Sequence, residues 1–320
     1  MLPVHAVTAS APGKIILFGE HAVVYGHPAI AVPLTAVQVT VSAAPGQTGN
    51  GITLDIPGLG RSLALTNVSP DDPLYDALVY PVQLALRTLH CPVPDLYLSV
   101  HSTIPIASGL GSGAALATAL IRAVAAALGA PIDNDALNPL VYEVEKRHHG
   151  NPSGIDNTVI VYARPVYFVR GQPPQTFNVA RPFTLLVADT GQSSPTRLTV
   201  ADVRSQYEAE PQRVGATLER IGQIVERARQ AIETGNIAAL GPLMDENHAL
   251  LASLSVSSDL LDRLCQTARN AGAQGAKLSG GGRGGNLIAL VDEERAEEVA
   301  ETLRQAGAVR VLTTRIGTQE

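Results

Sequence analysis

The stretch that most constrains this chain is ASGLGSGAALATAL at residues 107–120, where Gly109, Gly111 and Gly113 open an alanine-rich run that reads only as helix. Each glycine there costs backbone entropy, so the chain needs bare backbone at that point. The preceding DLYLSVHSTIP at 95–105 alternates like a strand, giving the order strand, glycine loop, helix. Amides at a helix N-terminus point outward and carry partial positive charge, which suits phosphate oxygens. Ser108 and Ser112 add hydroxyls able to donate to phosphate or to sit on magnesium. A turn that lets helices pack tightly is the competing reading. The spacing fits neither GxxxxGK followed by Ser or Thr nor G-x-G-x-x-G, and two consecutive helices follow, which disfavours a dinucleotide-binding unit.

A second cluster, KLSGGGRGGNLIAL at 277–290, lies between strand-like segments and holds more glycine than a hairpin turn requires. Two glycine loops in one chain favour a polyphosphate ligand over a flexible hairpin. The remaining pattern predicts strands from Val4 to about Leu65, a helix over 73–89, the central helix ending near Gly129, and a helix over 133–149 capped by Asp133 or Asn134 and stopped by Gly150. The turn Asn151-Pro152-Ser153-Gly154 and strands RPVYFVRG and FTLLVAD come next; helical periodicity then runs from about Ser194 to Gly272, and AKLSG, NLIALV, EERAEEVAETLRQAG and VRVLTTRIG close the chain. We place a domain boundary near Arg181, with an α+β second domain.

At 320 residues the chain is long enough for about two domains. Its net charge of -6 and low charged fraction of 16% offer no basic face for nucleic acid. Cys91 and Cys265 lack metal-type or disulfide spacing and read as reduced core thiols. No secretion signal is evident, and the longest apolar helix is interrupted by Arg122, so a cytoplasmic protein without a membrane span is expected.

Three candidates for chemistry stand near the loops. Lys14, one of only three lysines, follows Ala-Pro-Gly, read as a fixed turn at a strand entrance, with Glu20 and His21 at the strand's exit. It reads either as a surface lysine or as a cation offsetting charge on a transferred phosphoryl group. On the 133–149 helix Glu143 and Arg147 are spaced to pair, whereas Glu145 borders the apolar stripe and reads either as a solvated carboxylate or as a magnesium ligand. Asp156 follows a tight turn; it caps locally or accepts a proton from a substrate hydroxyl. The histidines make no zinc pattern, His148 and His149 being adjacent on a helix and so pointing in different directions.

Taken together, APGKIILFGEHAVVYGHPAIAVPL, IPIASGLGSGAA and KLSGGGRGGN resemble, in order and spacing, the three signature motifs of the GHMP small-molecule kinases. The segments GEHAVVYG, HGNPSGIDN and ADTGQSSPTR resemble the members that phosphorylate the 5-hydroxyl of mevalonate. The resemblance implies an α+β, two-domain fold: a ribosomal protein S5 domain 2-like N-terminal domain over 1–180, and a ferredoxin-like C-terminal domain over 181–320 completing the substrate cleft. It implies ATP and magnesium as cofactors, Asp156 as base with Lys14 as its charge partner, and Glu145 as a metal ligand. The ATP phosphate loop is then Ser108, Gly109, Leu110, Gly111, Ser112 and Gly113, with Glu20, His21, Thr196, Arg197 and Gly281 near the substrate. Arg197 and His21 are the candidates for its carboxylate, and a homodimer is expected. Two departures stand out. The family's second central serine is Gly113 here, leaving Ser112 as the hydroxyl for magnesium, and Arg283 and Asn286 interrupt and end the third motif's glycine string. Arg283 reads as an added phosphate contact or a change in substrate choice. A kinase of phosphomevalonate or another small alcohol, and a nucleotide sensor without turnover, are the rival readings.

Overall fold

The structure is a computed structural model describing residues 4–317 except 73, 106–107, 150–151 and 194–195, and excluding the side chains of 148 and 149. The proposed stop at Gly150, the Asn151 end of the turn, the helix start at Pro73, Ala107 of the central motif, Ser194 and the directions of His148 and His149 lie outside the described residues. The chain divides into two compact units, one of residues 1–13 and 37–163, the other of 14–36 and 164–320. This division differs from a single boundary near Arg181: it passes through two strands, so residues 14–36 fall in one unit with sequence that begins only at Arg164.

The strands and helices of the first unit follow the sequence pattern closely. Strands β1 (Val7–Phe18) and β2 (Ala29–Pro45) cross the division, followed by β3 (Ile52–Ile56), β4 (Arg61–Ala64) and β5 (Leu96–Ser102). In β2, Val37, Val39, Val41 and Ala43 are buried while Gln38 and Ser42 are exposed, the period-two pattern of a sheet with one wet face. β2 runs antiparallel to β5 and β4 antiparallel to β3, while β3 runs parallel to β5. The Ala-Pro-Gly sequence is not a turn; it lies inside β1, which pairs with β2, and an edge position tolerates the missing proline N–H.

Helices α1 (Tyr80–Thr88), entered through a π-helical turn at Tyr75–Val79, α2 (Ser112–Ala127), α3 (Asn134–His149) and α4 (Ile155–Tyr162) complete this unit. α2 is buried on nearly every side, as its alanine-rich, apolar circumference demands. Its one charge, Arg122, donates to the carbonyls of Ser10 at 3.1 Å and Val161 at 2.6 Å and to Asn134 Oδ1 at 2.9 Å. Asp133, not Asn134, caps α3: its Oδ1 accepts from Ala136 N at 2.8 Å. The predicted Glu143–Arg147 pair does not form. Glu143 pairs with Lys146 at 2.7 Å, while Arg147 reaches Asp76 at 2.5 Å and lies over the Tyr80 ring. Segment TVIVY is helical despite its β-branched residues, since burial on α2 and α3 outweighs their strand preference.

The second unit adds β6 (Val166–Phe168) and β7 (Gln175–Thr176), β6 pairing with Ala29–Ala31 of β2. A four-stranded antiparallel sheet follows, ordered β11-β8-β10-β9, from β8 (Phe183–Asp189), β9 (Gly275–Ser279), β10 (Asn286–Val291) and β11 (Arg310–Ile316). Helices α5 (Thr196–Ala209), α6 (Pro211–Thr234), α7 (Leu240–Ser253), α8 (Asp259–Asn270) and α9 (Ala296–Gln305) supply its apolar cover. β9 is an edge, and α7 blunts it: Asp245 Oδ1 accepts from Ala276 N at 3.0 Å and His248 Nδ1 from Leu278 N at 3.2 Å. Cys265 is buried in this core, but Cys91 is half exposed and is not a core residue.

Candidate active site

In the first unit α3 holds two other helix starts in place. At the mouth of α2, Gly109 and Gly111 have φ of 73° and 77°, which answers the demand for glycine at those two positions. Ser108 Oγ donates to the Pro105 carbonyl at 2.8 Å, and the first helical bond runs from Ala115 N to the Gly111 carbonyl at 3.0 Å. The amides of Ser112, Gly113 and Ala114 therefore precede the helical ladder and form the positive end of α2. Gly113 is different, having no left-handed backbone; a β-carbon there would lie 3.4 Å from Glu145 Oε1. Glu145 is thus not a solvated carboxylate: it is 4% exposed and faces the loop mouth.

One turn earlier on α3, Tyr142 donates its hydroxyl to the Pro152 carbonyl at 3.2 Å, fixing the turn that leads into α4. Gly154, with φ of 87°, is the N-cap of α4, so Asp156 stands in the first helical turn rather than at the cap. Thr158 Oγ1 donates to the Gly154 carbonyl at 2.7 Å, and Asn157 Nδ2 donates to Asn138 Oδ1 at 2.7 Å.

In the second unit two segments far apart in sequence meet. β1 ends at Phe18, and Glu20 and His21 follow in a turn where His21 takes φ of 61°. His21 Nε2 lies 3.0 Å from the Gly281 carbonyl, an acceptor only, so Nε2 carries the proton. Burial lowers the His21 pKa, opposed by that hydrogen bond and aided by Arg283 and Lys277. His21 Nδ1 is therefore a bare acceptor, and neither it nor Glu20 Oε2 has a partner among the described residues, although both are buried. A neutral acceptor does not suit a carboxylate, which leaves Arg197 as the candidate for that role. Thr196 and Arg197 are exposed at the start of α5, and Lys14, on β1, is 9% exposed rather than a surface lysine.

The glycine loop of 280–285 joins β9 to β10 and packs against the segment after β8. Thr190 Oγ1 donates to the Gly285 carbonyl at 2.9 Å, and Gly285 N to the Gln192 carbonyl at 2.8 Å. Gly282 has no substitute, since a β-carbon would collide with the Val256 carbonyl at a φ of 80°. Arg283, held at φ of 55°, turns its guanidinium to Asp202 at 2.5 Å and to the Ser255 carbonyl at 3.0 Å. These contacts tether the loop to α5 and to a residue just beyond α7.

Sequence reasoning missed Lys277. It is 0% exposed, and its Nζ donates to Glu20 Oε1 at 2.5 Å and to the Leu278 carbonyl at 2.6 Å. Burial lowers its pKa, and the Glu20 carboxylate works against that. The signal in the sequence was a lysine inside an otherwise apolar strand, AKLS. His248, Asp262 and Cys265 resemble a nucleophilic array but are structural: Nδ1 of His248 is occupied by Leu278 N, and burial pushes the Cys265 thiol up to about 12.

Residues 77–164 match the family model for the GHMP kinases N terminal domain, and 209–309 match that for GHMP kinases C terminal. The chain belongs to the GHMP kinases and is a small-molecule kinase with their two-domain α+β fold. Within the family it is most like mevalonate kinases. It is 36% identical to the mevalonate kinase of Pyrococcus horikoshii over 96% of this chain and 95% of that one. The mevalonate kinase structure from Methanococcus jannaschii superposes with a TM-score of 0.85 at 26% identity, covering 98% of this chain and 99% of that chain. The L. major mevalonate kinase in complex with R-mevalonate superposes with a TM-score of 0.83 at 26% identity, covering 99% of this chain and 97% of that chain. Among the described residues no helix is long and apolar enough to cross a membrane.

Proposed function

We propose that this kinase transfers the γ-phosphoryl group of ATP to the 5-hydroxyl of mevalonate. The names of its relatives support the acceptor. The structural observation that carries the reading is the adjacent pair of buried acceptors, Glu20 Oε2 and His21 Nδ1, which suits an alcohol that donates hydrogen bonds. On the phosphate side, the amides opening α2 offset the charge of the triphosphate tail, and α3 holds that mouth and the turn before Asp156 to one helix.

Asp156 accepts the acceptor's hydroxyl proton as its oxygen attacks the γ-phosphorus and ADP departs. Lys14 offsets the negative charge on the transferred group. Thr196 and Arg197 bind the acceptor, Arg197 through its carboxylate, and the Gly281 carbonyl fixes the His21 ring. Among the described residues no three acidic, His or Cys side chains gather as a self-sufficient metal site. The buried Glu145, facing Gly113 with Ser112 the preceding residue, nevertheless fits magnesium, which takes one or two protein oxygens together with substrate phosphates. Those two residues would hold it, and it would supply charge neutralisation at the phosphates.

ATP consumption should depend on mevalonate and should disappear with an analogue lacking the 5-hydroxyl. Turnover on phosphomevalonate but not on mevalonate would overturn the acceptor assignment, and ATP binding without transfer would overturn the enzyme reading. Asp156→Asn should lower kcat by about 10²- to 10⁴-fold with folding intact, and near-normal kcat would remove Asp156 as the base. Glu145→Gln should raise the magnesium concentration needed for half-maximal rate.

A further inference from the structure

One face of β9 and its continuation grips the turn that carries Glu20 and His21. Positions 277, 279 and 281 alternate along the chain, and each makes a polar link to residues 16–21. Lys277 Nζ donates to Glu20 Oε1 at 2.5 Å, Ser279 Oγ to the Ile16 carbonyl at 2.7 Å, and the Gly281 carbonyl meets His21 Nε2 at 3.0 Å. The ammonium also lies 5.9 Å from the centre of the Phe18 ring.

An ion pair at this depth is a poor source of stability, because desolvating both charges costs about as much as their attraction returns. A leucine or methionine at 277 would serve the strand as well. What the pair does provide is orientation. Lys277 donates to one carboxylate oxygen only, and its second bond, to the Leu278 carbonyl at 2.6 Å, fixes the ammonium so that it does not swing to the other. Glu20 Oε2 is left buried, unpartnered and fixed in direction, and the following residue is a histidine with a bare Nδ1 whose other nitrogen is held by the same strand's continuation.

We infer that Lys277 is a positioning residue for the acceptor alcohol: it holds Glu20 as an oriented carboxylate whose Oε2 accepts from the substrate. This rests on the reading that Glu20 and His21 bind the acceptor. Lys277 touches no substrate itself, so it acts only through Glu20.

The test is a double-mutant cycle in steady-state kinetics on the full chain, with Lys277→Met, Glu20→Gln and the two combined, each checked by thermal melting. Lys277→Met should raise KM for mevalonate about ten- to a hundredfold, the loss of one displaced charged hydrogen bond, while KM for ATP stays within about twofold. In the Glu20→Gln background the same change should cost less than about threefold in kcat/KM for mevalonate, and the double variant should melt above either single one, since it buries no unpaired charge. If Lys277→Met alone does not fold, comparison of Glu20→Gln with the double variant still decides. A further tenfold loss in the double variant overturns the inference, as does a rise in KM for ATP equal to that for mevalonate. Wild-type protein inactive on mevalonate would instead overturn the acceptor reading beneath it.

Discussion

Arg122→Met tests the packing argument on which the phosphate side depends. Arg122 emerges from an apolar helix and donates to three oxygens that belong to β1, the first residue of α3 and the end of α4. Burial lowers its pKa without displacing it from the charged range. Each hydrogen bond from a charged donor contributes about 1.5–3 kcal/mol, which for three bonds would suggest well over 4 kcal/mol. Two terms reduce that: the guanidinium's desolvation cost disappears with it, and the three bonds share one rigid fork, so their losses do not add. Methionine fills most of the stem's volume, leaving the partly stranded carbonyls of Ser10 and Val161 as the main cost, and the net expectation is about 2–4 kcal/mol. In a 320-residue chain unfolding as one unit that lowers Tm by roughly 3–6 °C, followed by circular dichroism during thermal unfolding. Lys, which keeps the charge but not the fork, should fall between Arg and Met. A Met variant within about 0.5 kcal/mol of wild type would refute the idea that this one cation ties α2 to its neighbours.

Three further outcomes are expected. Gly241→Ala should destabilise the second unit by about 1–3 kcal/mol or prevent folding, because its β-carbon would run into the Gln274 carbonyl where α7 crosses the chain before β9; a normal melt would contradict this. Gly113→Ser should leave stability within about 0.5 kcal/mol, since its φ is ordinary and its β-carbon meets only Glu145 at 3.4 Å, and should lower the magnesium concentration at half-maximal rate by adding a hydroxyl there. The His248 pKa is lowered chiefly by burial from its usual 6.5, so the folded state resists a proton that the unfolded chain accepts. Its contribution is therefore intact above pH 6.5 and lost as pH falls toward the folded-state value. Urea unfolding at pH 7 and pH 5 should show that loss, and His248→Gln should flatten it.

Much of the site was legible because it is encoded locally. The loop 108–113 announces itself by glycines before an apolar helix, and the structure gives two of them left-handed backbone. The strands flanking the second glycine cluster were legible as apolar runs, but that cluster read as a phosphate loop in preference to the hairpin that joins β9 to β10. Glu145 was ambiguous, since helical spacing places it at the margin of a stripe but does not say what covers that margin. Arg122 looked like a fault in an apolar helix, and only its three acceptors, distant in sequence, explain it. Arg147 illustrates the opposite failure: i,i+4 spacing predicted Glu143 as partner, but Asp76 on another element is nearer.

The sequence alone determined what depends on neighbours within a few residues: which segments are strands, where the phosphate-type loop opens a helix, and that the chain carries the three motifs of its family. The tertiary structure decided which distant residues share a surface. Lys277 and Glu20 lie 257 positions apart, TVIVY becomes a helix only because α2 and α3 bury it, and the segment 14–36 joins a unit built mostly from the far end of the chain. Backbone propensity acts over one turn or one pleat, whereas burial and charge pairing act through space, and no local pattern records who the partner will be.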